Sequence, residues 1–146
     1  MEPTKDQLET LLAAIAHVRL RPGMYWGTIN TATLTAFVAG LRSTAHVLGI
    51  EVDRFERQLW AERGWQPIST QSVIHVMKNS GVSDEEIVFE QLAVLILSLQ
   101  QTYDLSGEKV LEIHSGIRQR DENIQTIAAI DNLEESMGIS SRESRS

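Results

Sequence analysis

Residues 83–103, "SDEEIVFEQLAVLILSLQQTY", open with a helix-capping serine and three acids and run on into a nearly unbroken apolar segment. Ser83 is a strong helix N-cap, and Glu86 stands where it can close a capping box. Asp84, Glu85 and Glu86 place carboxylates at the positive end of the helix dipole. Apolar residues then occupy 87, 88, 89, 92–97 and 99, which cover most of a helix circumference. A helix that is apolar nearly all round belongs at the centre of a bundle rather than on its surface. The expectation is an all-α fold, a single compact bundle of five or six helices around this central apolar helix.

The flanking segments supply the other helices. Thr4 and Gln7 form a capping box, and Leu8, Leu11, Leu12, Ile15 and Val18 recur at helical spacing, so the first helix spans about 5–19. Asn30 or Thr31 caps a second helix that carries Leu34, Phe37, Val38, Leu41, Ala45 and Leu48 and stops at Gly49. Asp53 is the expected cap of a short helix over 55–63, and Ser69 or Thr70 that of another with Val73, Ile74, Val76 and Met77. Lys109–His114 alternates apolar and polar, but a lone strand has no partner here, so a helix over about 108–118 is preferred. A last helix over 121–137 carries Ile124, Ile127, Ile130 and Leu133. Residues 1–138 are thus expected to form one helical domain, and 139–146, "ISSRESRS", a disordered tail.

At 146 residues the chain is long enough for one domain with a core and short for two. It has no cysteine, which removes disulfides, thiolate metal sites and thiol nucleophiles and suits a reducing compartment. No signal peptide is visible, and the longest apolar run is too short to span a bilayer, so a cytoplasmic protein is expected, with no membrane partner. Acids and bases balance over residues 1–60, so the net charge of −7 lies entirely in residues 61–146. An acidic chain with a pI near 5.0 is a poor general binder of nucleic acid. Thr10–Ile50 is the contrast: it carries Arg19, Arg21, Arg42, His17 and His46 and no acid at all.

Within that acid-free stretch lies Arg21-Pro22-Gly23-Met24-Tyr25-Trp26-Gly27. Pro22 disfavours helix at Arg21, and the two glycines permit turns on either side of Met24-Tyr25-Trp26. Two readings stand: a helix–loop–helix corner whose aromatics plug the core, or a recognition loop flanked by Arg19 and Arg21. Leu11–Gly27, "LLAAIAHVRLRPGMYWG", resembles the opening of the type II topoisomerase ATPase domain, as in the DNA gyrase B subunit. That family follows this segment with a helix bearing a general-base Glu and a magnesium-binding Asn. The corresponding helix here, "TLTAFVAGLRSTAHVLG", has neither, and an Asp-x-Gly-x-Gly motif is absent. Hydrolysis of ATP therefore lacks its base and its metal ligand. A second resemblance is to uncharacterised small bacterial proteins that combine an Arg-Pro-Gly-Met-Tyr-x-Gly loop, a helix, a Trp-containing segment and a Ser-Asp-Glu-Glu helix start. Here these are Arg21–Gly27, Leu34–Gly49, Phe55–Trp65 and Ser83–Leu99. This likeness implies a shared fold and a bacterial origin, and it brings no catalytic residue.

No other constellation completes an enzyme. His17, His46, His75 and His114 show no metal-ligand spacing, and no nucleophile elbow or phosphate-cradling loop is present. Asp131, Glu134 and Glu135 read as a solvated face, one that would also suit docking onto a basic protein surface. Trp60 and Trp65 flank Gly64 and read as core plugs or as interface residues. The expected function is that of a non-enzymatic bacterial protein that binds another protein, with no cofactor and no metal, in an immunity-like or defence-associated role. The expected partner-binding residues are Arg19, Arg21, Met24, Tyr25, Trp26 and Trp65. The alternatives are a degenerate nucleotide-binding protein related to the topoisomerase opening, and a small-molecule sensor with an apolar pocket in the bundle.

Overall fold

The computed structural model describes residues 2–22, 27–66, 72–120 and 124–139. Among these residues the chain forms α-helices and no strand. In order they are α1 (Lys5–Leu20), α2 (Thr31–Val47), α3 (Glu56–Glu62), α4 (Val73–Asn79), α5 (Asp84–Tyr103), α6 (Glu108–Arg120) and α7 (Ile124–Ser136). Among the described residues there are seven helices, one for each segment read as helical in the sequence and so more than the five or six expected of the bundle.

α5 is the central helix. Ile87, Val88, Leu92, Leu95, Ile96 and Leu99 are fully buried along it. α1 packs along α5 and α6, while α2, α3 and α4 cover other sides of α5, and α7 lies against α1 and α6. Ser83 starts α5 as expected, its hydroxyl accepting from the Glu86 N–H at 3.3 Å.

Two polar side chains interrupt the apolar surface of α5, and both serve α3. The Phe55 N–H donates to the buried Ser98 hydroxyl at 3.1 Å, and the Gln91 amide donates to Glu56 at 3.1 Å. The expected Asp53 side-chain cap does not form. α3 begins instead with the Asp53 carbonyl accepting from the Glu56 N–H at 3.2 Å, and the central helix supplies the partner that a cap would have given.

α7 departs from the expected apolar face. Ile130 and Leu133 are fully buried, whereas Ile124 is 84% exposed. Nine residues of α-helix turn through about two and a half revolutions, so Ile124 and Leu133 point to opposite sides. Residues at three-residue spacing share a face only over a turn or two. The 140–146 part of the expected tail lies outside the described residues.

α6 is capped from a distance. The buried Glu9 carboxylate, on α1, accepts from the Ser106 N–H at 2.7 Å, the Ser106 hydroxyl at 3.0 Å and the Gly107 N–H at 3.3 Å. These donors lead directly into the first turn of α6, where a negative charge is favoured. Gly107 sits at φ +81°, and a Cβ there would come within 2.9 Å of the Ile139 side chain. Glu9→Ala is expected to cost about 1–3 kcal/mol by leaving the buried Gly107 N–H unsatisfied and removing the charge that holds Ser106. Urea denaturation is the check, with an unchanged midpoint counting against the cap.

Candidate functional site

α1 ends where expected, with the Arg21 N–H donating to the His17 carbonyl at 3.1 Å and Pro22 buried beyond it. Arg21 is half-buried. Met24, Tyr25 and Trp26 lie outside the described residues.

Arg19 is a correction. It was expected beside a recognition loop, but it is only 3% exposed. It follows Leu8, Leu12 and Ile15 at three- and four-residue intervals, which places it on the core face of α1. Its Nε donates to the Phe89 carbonyl at 3.0 Å and its Nη1 to the Ala129 carbonyl at 3.3 Å. The guanidinium also lies 5.5 Å from the Phe89 ring centroid. Burial pulls its pKa down to about 10, helped by Arg63 and opposed by Glu90. Arg19 thus ties α1 to α5 and α7 and is no exposed charge anchor. The periodicity of α1 carried this signal.

Arg19 and Trp65, distant in sequence, nevertheless meet. They line one open cleft of about 450 Å³ together with Met77, Phe89, Glu86 and Glu90. Val82 and the small residues Ala128 and Ala129 extend its apolar lining, with Asn132 at the α7 side. Trp65 is half-buried, and its N–H donates to the Trp60 carbonyl at 2.9 Å. Trp60 itself is 3% exposed and belongs to the core. Arg63 Nε holds Glu90 at 2.7 Å, while Glu86 remains exposed at the start of α5.

Sequence reasoning missed a buried ionic cluster between α6 and α7. His114 Nδ1 lies 2.8 Å from Glu134 Oε2, and Arg118 donates to both Glu134 oxygens at 3.0 and 2.9 Å and to Asp131 at 2.5 Å. Glu134, read as part of a solvated face, is 2% exposed. Burial alone would raise its carboxyl. The hydrogen bonds from His114 and Arg118, with the charge field of those side chains, overcome that and hold it at about 2. Burial lowers the pKa of Arg118, but its bonds to Glu134 and Asp131 prevail and raise it. The signal lay in complementary spacing. His114 and Arg118 stand four apart on α6, and Asp131 and Glu134 three apart on α7.

An imidazole oriented by a carboxylate is also a general-base arrangement. In this cluster His114 is fully buried, and among the described residues its Nε2 has no hydrogen-bond partner. A nitrogen so enclosed reaches no substrate, and the cluster acts in packing α6 on α7. Among the described residues no group of three or more His, Asp or Glu is placed to hold a metal ion. None of the described helices is long and apolar enough to cross a membrane. No family model, curated protein or solved structure matches the chain.

Proposed function

We propose that this protein acts without catalysis, as a bacterial cytoplasmic binder that covers a basic, apolar-tipped surface on another protein, in the manner of an immunity protein. The observation that carries this reading is the cleft of Trp65, Phe89 and Met77 with Glu86 and Glu90 in its wall. Aromatic and thioether side chains supply anchoring area. The carboxylates set the sign of the partner. Asp84 and Glu85 share the first turn of α5 with Glu86, and Glu135 lies one turn on from Asn132. Glu90 is held by Arg63, so the acidic edge of the cleft is Glu86 with Asp84 and Glu85 in the same turn, and a cationic group beside an apolar anchor is its complement.

The nucleotide-binding alternative still lacks a Glu base and an Asn ligand on α2, whose nearest Asn, Asn30, is engaged in a capping box with Thr33.

The test is affinity capture from a bacterial host, comparing the wild-type chain with a Glu85→Lys, Glu86→Lys variant. Both side chains are exposed but lie at the positive end of the α5 dipole, so the variant should melt a few degrees below the wild type and stay folded under the capture conditions. A basic protein held by the wild type should bind the variant at least about tenfold more weakly, mainly through slower association. Equal retention by both proteins, or capture of an acidic partner, would remove the proposal.

A further inference from the structure

A second cavity, of about 430 Å³, opens between α2, α3, α4 and the middle of α5. Its volume falls in the range of small-molecule sites. Its apolar wall is Trp60 with Val38 and Val73, all buried members of the core. Gln91 also lines it, although that side chain is 3% exposed and sits on an otherwise apolar central helix.

The charges around this cavity sort into two sets. Arg42 holds Glu56 through one nitrogen at 2.5 and 2.7 Å, and the Gln91 amide donates to the same carboxylate at 3.1 Å. That set is internally neutral and fixes one wall. Asp53 and Arg57 form the second set. Both line the cavity and both are exposed. They stand four residues apart, yet no ion pair joins them, and among the described residues neither is held in a salt bridge. An uncompensated carboxylate and an uncompensated guanidinium thus flank an apolar wall.

A ligand complementary to all of this carries an ammonium, a carboxylate and an apolar group on one small frame. An anion alone would meet Arg57 but face Asp53, and a cation alone would meet the reverse. A neutral apolar molecule would leave both charges without a partner. We infer that this cavity is a binding site for a small zwitterion, an α-amino acid with an apolar side chain. Its carboxylate sits on Arg57, its ammonium on Asp53, and its side chain against Trp60 and Val73. The inference stands apart from the docking cleft, which shares none of these residues.

The experiment is a thermal-shift titration of the whole chain with L-phenylalanine and L-leucine, beside 3-phenylpropanoate and phenethylamine as single-charge probes. At ten times its dissociation constant, the zwitterion should raise Tm by about 5 °C. The two single-charge probes at the same concentration should give less than a third of that shift. Asp53→Asn and Arg57→Gln, at exposed positions, should melt like the wild type without ligand and lose the response. No shift with either amino acid would overturn the inference. So would an equal shift with a single-charge probe, or a response that survives in both variants.

Discussion

Leu95→Asp is expected to abolish the cooperative thermal transition. Leu95 is fully buried on α5, with Leu92, Ile96 and Leu99 equally enclosed around it. A carboxylate placed there is shut away from water in the core of the bundle, so it must either protonate or drag water in. The cost is several kcal/mol, comparable with the total stability of about 5–15 kcal/mol that a domain of this kind has. Size alone does not explain such a loss, and two comparison variants separate the causes. Leu95→Met keeps the volume and should cost under about 1.5 kcal/mol. Leu95→Ala opens a cavity and should cost about 2–5 kcal/mol. Circular dichroism showing an unchanged melting temperature for Leu95→Asp would remove α5 from the centre of the fold.

That variant tests the part of the fold that was most legible in the sequence. The α5 stretch carries its own cap, its own dipole complement and an apolar surface too wide for anything but a buried helix. Local signals also marked α1 and the Asn30 start of α2. What remained illegible depended on helices meeting one another. Asp53 looked like a cap, because the Ser98 hydroxyl that serves the start of α3 lies forty-three residues beyond Phe55. Nothing near Glu9 in the sequence marks it as a cap, because the donors it serves lie about a hundred residues on, at Ser106 and Gly107. Arg19 looked like surface charge because arginine usually is, while its place on the apolar stripe of α1 said otherwise. Of the expected binding residues, Arg19 and Trp65 were brought together by a cleft whose other walls come from α4, α5 and α7. No single segment contains that site.

The ionic cluster between α6 and α7 gives the second large effect. Glu134→Ala should cost about 3–5 kcal/mol, because truncating one member of a buried charged group leaves the others enclosed without compensation. His114 would lose the partner of its Nδ1, and Arg118 would lose both Glu134 oxygens while keeping Asp131. Most of that cost is the stranding of partners. A triple variant, His114→Phe, Arg118→Met and Glu134→Leu, should therefore recover much of the lost stability. The same cluster gives acid unfolding its sign. The folded Glu134 carboxyl is held at about 2, below its ordinary value of 4.5. Its contribution is complete above about pH 4.5 and is lost as the pH falls toward 2, because the unfolded chain takes up the proton first. Glu134→Gln has no carboxyl to protonate there. Its melting temperature should start lower at neutral pH, fall less steeply across that window and approach the wild-type value at its acid end. Parallel melting curves for the two proteins from pH 4.5 down to 2 would show that Glu134 is not the carboxylate pinning α7 to α6.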